Sequence, residues 1–117
     1  MRIINLTDHI VTVKNGDTEK VYFPSGTIAR SRMKRVVIGK VDGVDVCQII
    51  WEPAKGLPEE SKDTYYIVSL IVFESTDRGD LLAPDTTRGS VIKHKDGDTI
   101  AVRFFKAHAK FANKRKE

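Results

Sequence analysis

The sequence predicts one α+β domain, mainly antiparallel hairpins forming a curved sheet or partial barrel, with one short helix at about 69–78. Three observations carry that reading. Three runs of β-branched and aromatic residues each fold back across an Asn-Gly or Asp-Gly turn. A continuous apolar run at 64–68 is followed by a serine, an apolar segment and a glycine, the outline of a strand leading into a helix. Finally, 117 residues with 40% hydrophobic and 31% charged side chains suit one globular domain. A chain of that size buries roughly 65% of its unfolded surface, so it needs no disulfide or structural metal.

In chain order, 2–6 reads as a short opening strand. The first hairpin runs 10–14, turns at Asn15-Gly16-Asp17 and returns over 19–23, the glycine tolerating the positive φ that such turns demand. Pro24-Ser25-Gly26 breaks it from a long strand, 27–35. The second hairpin joins 35–40 to 46–51 through Val41-Asp42-Gly43-Val44. Residues 52–63 hold two prolines, a glycine and four acids, the composition of a polar surface loop. Next comes a miniature βαβ unit: strand 64–68, Ser69 as helix N-cap, Gly79 at a left-handed C-terminal position, and a second strand 80–83 stopped by Pro84. A competing reading makes 65–73 one long strand, because Ile71, Val72 and Phe73 favour sheet. The third hairpin pairs 90–94 with 99–104 across Lys95-Asp96-Gly97-Asp98.

Charge divides the chain unevenly. Residues 106–117 carry five basic side chains against Glu117, so the whole net charge of +4 resides there, and residues 1–105 balance at 15 basic and 15 acidic. The expected organisation is a globular domain over 1–105 and a basic C-terminal tail over 106–117. A neutral body argues against a dedicated nucleic-acid-binding core, since such binding rests on clustered Lys and Arg. The longest apolar runs are four residues, far below the ~20 of a spanning helix, so no membrane partner is expected. Met1-Arg2 leads straight into strand-like sequence. The single Cys47 can close no intrachain disulfide, which points to a reducing, cytoplasmic location.

Ligands of parallel strands bind beyond the carboxyl ends. Here those ends bring forward Ser69 and the loop Asp85, Thr86, Thr87, Arg88, the vocabulary of phosphate and ribose recognition, with His9 at the edge. No P-loop or dinucleotide fingerprint accompanies them. A side-chain-stabilised turn at Asp85-Thr86 and a solvated Arg88 is the alternative. A second candidate surface is Arg30, Arg32 and Lys34, on one face of the expected strand, together with Lys110, Lys114, Arg115 and Lys116 of the tail. His9, His94 and His108 lack any metal-binding spacing, so neither a metal nor another cofactor is expected. Cys47 reads as a small core hydrophobe. No nucleophile–base pair is legible, which makes catalysis the least expected role.

The runs Asn5-Leu6-Thr7-x-His9, Tyr66-Ile67-Val68-Ser69 and Asp80-Leu81-Leu82-x-Pro84-Asp85-Thr86 resemble small proteins of bacteriophages and prophages, with Asp8 standing where that pattern has proline. The resemblance covers about residues 3–105. It implies a shared core and a host-cytoplasmic setting, and it carries no activity. The leading expectation is a non-enzymatic module for an anionic small ligand such as a nucleotide. The alternatives are a nucleic-acid accessory protein using the basic strand and tail, or a protein-interaction module using an exposed hairpin edge.

Overall fold

The computed structural model describes residues 1–115 and shows a mixed α+β chain built as a small body with a projecting two-stranded arm. The body contains two four-stranded sheets. In the first, β1 (Arg2–Asn5), β6 (Thr64–Ile67) and β7 (Leu81–Pro84) run parallel, and β10 (Phe105–Lys106) closes the far edge antiparallel to β7. In the second, β2 (Val11–Asn15) pairs with β3 (Thr18–Tyr22) and with β9 (Thr99–Val102), which in turn pairs with β8 (Val91–Lys93). The arm is β4 (Met33–Val41) paired with β5 (Val44–Trp51).

The expected βαβ unit is present. Ser69 caps α1 (Leu70–Glu74) by accepting the Val72 amide, and β6 and β7 flank the helix in parallel. The helix is one turn shorter than expected. Ser75 ends it, its hydroxyl donating to the Val72 carbonyl at 2.6 Å and competing with further helical bonding. Gly79 therefore caps nothing. A Cβ there would stand 2.6 Å from the Lys110 carbonyl oxygen, so the glycine admits the backbone of α2 (Lys110–Arg115).

Burial follows the sheet. Ile4, Tyr66 and Leu81 are in register on one face, where Leu6, Ala29, Val68, Val72, Phe73 and Ala83 complete the core. Two polar knots lock this body. Asn5 is buried and donates to the His9 and Tyr22 carbonyls at 2.9 and 3.0 Å, while its amide oxygen accepts from the Thr7 amide and hydroxyl. Asp80 is fully buried and takes a bidentate pair from Arg78, at 2.9 and 2.6 Å; Arg78 also donates to the Pro58 carbonyl. The Asp80 hydrogen bond raises the Arg78 pKa further above its ordinary value. The pair pins the acidic loop to the end of the βαβ unit.

Residues 106–115, the described part of the expected basic tail, pack on the body. The His108 ring stacks on Phe73 at 3.9 Å, and its Nε2 lies 2.7 Å from the Phe73 carbonyl. Phe111 meets Tyr65 at 5.6 Å. Lys106 pairs with Glu74, Lys110 pairs with Asp77, and Lys114 donates to the Ser61 carbonyl.

The turns divide by type. Asp42 and Gly43 both have positive φ, 51° and 76°, the two-residue turn that Asp-Gly predicts. In the first hairpin only Gly16 of the Gly16-Asp17 loop is positive, at 60°, so Asn15 belongs to the strand. The long strand expected over 27–35 starts only at Met33. Before it the chain is irregular apart from a bridge between Arg30 and Lys55, and Gly56 sits so close to Ile28 that a Cβ would meet its carbonyl at 2.6 Å.

Candidate functional site

The loops after β6 and β7, with His9 in the β1–β2 connection, hold the first candidate group. His9 and Thr86 come together at the rim of an open cleft of about 260 Å³, lined otherwise by Ile10, Val11, Thr12, Pro84 and residues 99–102. Ser69 and Arg88 do not line it, and Arg88 is exposed. The Asp85 carboxylate is already engaged, accepting from the Thr87 amide at 2.9 Å and hydroxyl at 2.5 Å. Those bonds hold its pKa below the ordinary value of 3.8. His9 Nδ1 lies 3.3 Å from Asp8, whose carboxyl is lowered chiefly by that contact. The polar groups are thus largely folded into local turns, and the cleft they frame is mostly apolar.

The second candidate group splits. Arg30 and Arg32 line an open cleft of about 330 Å³ at the base of the arm, with Lys55, Ser31 and Glu52, whereas Lys34 lies up on β4. Glu52 and Arg32 are joined through the backbone, and the Ser31 hydroxyl donates to the Glu52 carbonyl, so the base is well bonded. Lys110 and Lys114 flank a different cleft beside Ser61 and Gly79. The Arg115 side chain and Lys116 lie outside the described residues. Among the described residues no three His, Cys, Asp or Glu stand close enough to hold a metal, and no helix is long and apolar enough to cross a membrane.

The arm is the feature that sequence reasoning missed. Nine residues at ~3.3 Å each make it about 30 Å long, and no other strand pairs with either edge among the described residues. Cross-strand partners share a face. One face carries Arg35 with Ile49 and Val37 with Cys47; the other carries Lys34 with Ile50, Val36 with Gln48, and Val41 with Val44. Only Val36 and Trp51 are half-buried. Met33, Val37, Ile38, Val41, Val44, Val46, Ile49 and Ile50 are 36% to 67% exposed. Cys47, expected in the core, is exposed as well, because its strand has no core behind it.

The bulk dimensions register the arm. The radius of gyration is 16.5 Å, where a compact chain of this length has about 13 Å. The accessible surface is 8408 Å², where a compact monomer of this mass shows roughly 6,400 Å². A signal for this was present in the sequence: Val44, Val46 and Ile50 alternate with Cys47, Ile49 and Trp51, so β5 is apolar on both faces. That pattern marks a strand that the fold itself leaves open. No family model, no curated protein and no solved structure matches the chain.

Proposed function

We propose that this chain is a non-enzymatic interaction module that engages a protein partner through the β4–β5 arm. One observation carries the reading: a two-stranded ribbon with apolar side chains on both faces, and neither face covered. An isolated pair of strands is marginal in water, and monomers seldom leave apolar patches beyond a few hundred Å² exposed. Such a ribbon gains stability when another surface covers it or further strands extend it. The tip, Val41-Asp42-Gly43-Val44-Asp45, is apolar and acidic, which suits a protein surface and repels phosphate. The anionic-ligand reading draws less support, since Asp85 is committed to its turn and Arg88 stands away from the cleft.

The test is site-specific photocross-linking in cells. Benzoylphenylalanine placed at Val37 or Ile38 is expected to give discrete protein adducts, while the exposed body positions Glu19 and Lys20 give none. Absence of protein adducts from both arm positions would overturn the reading. Thermal melts against nucleotides and oligonucleotides run alongside. A ligand at 100 times its Kd adds about 2.7 kcal/mol, and a shift of that size lost on Arg88→Ala would return the function to the strand ends.

A further inference from the structure

Resting on the arm as the interaction surface, we propose that its occupant is the arm of a second copy. The two β5 strands pair antiparallel about a twofold axis, making one four-stranded sheet. The two edges of the arm are built differently, and this difference selects β5. The β4 edge is guarded: Lys34, Arg35 and Lys40 lie along it, and the ladder is broken at Ile38, between Val37 and Gly39. Charges and bulges are how natural sheets prevent edge pairing. The β5 edge has no lysine, proline or bulge, and its single charge, Asp45, is ion-paired to Lys40 at 3.4 Å.

Charge then selects the register. A β4–β4 join centred on Val37 would set Lys34 opposite Lys40 of the second copy, which is repulsive. A β5–β5 join centred on Asp45 would oppose two carboxylates. A join centred on Gln48 places no like charges together. The Gln48 register sets Val46 opposite Ile50 and Cys47 opposite Ile49 of the second copy. A symmetric join uses each β5 edge once and leaves the arms' guarded β4 edges outside, so pairing through the arms closes at two. Four strands also meet the count at which a sheet becomes independently stable.

Sedimentation velocity of the intact chain across a concentration series tests this, together with cross-linking at Cys47, the only cysteine. A reversible dimer is expected, with a short bis-maleimide bridging Cys47 to Cys47 of the second copy. Gln48→Lys, at an exposed position, is expected to weaken dimerisation at least tenfold by setting like charges at the axis. Arg35→Glu, on β4, should leave it unchanged. A dimer that neither cross-links at Cys47 nor responds to Gln48→Lys would overturn the β5 join. A monomer at every concentration would overturn the second copy as occupant. In both cases the photocross-links from Val37 and Ile38 separately decide whether the arm binds protein at all.

Discussion

Val72 and Val37 are the same residue in the same small protein, yet one is fully buried and the other 58% exposed. Val72 sits on α1, pressed between helix and sheet. Val37 sits on a ribbon with nothing on either side. The comparison of body and arm teaches that apolar sequence specifies burial without specifying the surface that provides it. In the body the chain supplies both sides of the contact. On the arm it supplies one.

The difference can be broken at several places, beginning with the body. Arg78→Ala removes the partner of the fully buried Asp80, and stranding a buried charge of this kind costs about 3–5 kcal/mol. At about 4 °C per kcal/mol, the melting temperature should fall by more than ~10 °C in calorimetry. A loss below ~1 kcal/mol would show that the knot is not what holds the acidic loop.

Leu81→Ala, at a site with no exposed surface, should cost about 2–5 kcal/mol in urea melts. Gly79→Ala sharpens the comparison at the C-terminus. The added Cβ would sit 2.6 Å from the Lys110 carbonyl, so α2 must move, at roughly 1–3 kcal/mol. Tyrosine and tryptophan near-ultraviolet circular dichroism should report the loss of the Phe111 contact on Tyr65. An unchanged melt would mean that 105–115 is not part of the folded unit.

Arm substitutions should behave oppositely. Ile49→Ala, on β5, is expected to change the stability of the dilute chain by no more than about 0.5 kcal/mol while weakening association. The smallest effect is on pH dependence. Asp85, held down by Thr87, and Asp77, held down chiefly by Lys110, have carboxyls lowered below 3.8. The folded state therefore binds fewer protons than the unfolded one in that range. Their contribution is present above 3.8 and is lost as pH falls through the lowered values. Urea melts between about pH 5 and pH 2 should decline, and Asp85→Asn should flatten part of that decline.

Local chemistry made much of the fold legible. The Asp42-Gly43 turn, the Ser69 cap and the parallel β6–β7 pair each depend on a few adjacent residues, and each stands where those residues point. The parallel pairing of β1 with β6 spans some 60 residues of chain and left no local trace. Nor did the packing of His108 on Phe73, because a run of lysines reads as solvated whether or not a helix lies beneath it. At the candidate sites, side-chain type was legible and commitment was not. Asp85 admits two readings in sequence, a ligand contact or a side-chain-stabilised turn, and the structure shows a turn, closed by the Thr87 amide and hydroxyl. The arm was legible as a hairpin and illegible as a projection, since two-faced apolar strands read alike whether their cover is internal or external.

Residue-resolved hydrogen exchange across a concentration series tests the central claim most directly. In dilute protein the β6 and β7 amides should exchange only through global unfolding, while β4 and β5 amides exchange orders of magnitude faster. Raising the concentration should slow β5 and leave the body unchanged. An arm as protected as the body at the lowest concentration would contradict the account, because it would mean the ribbon needs no second surface.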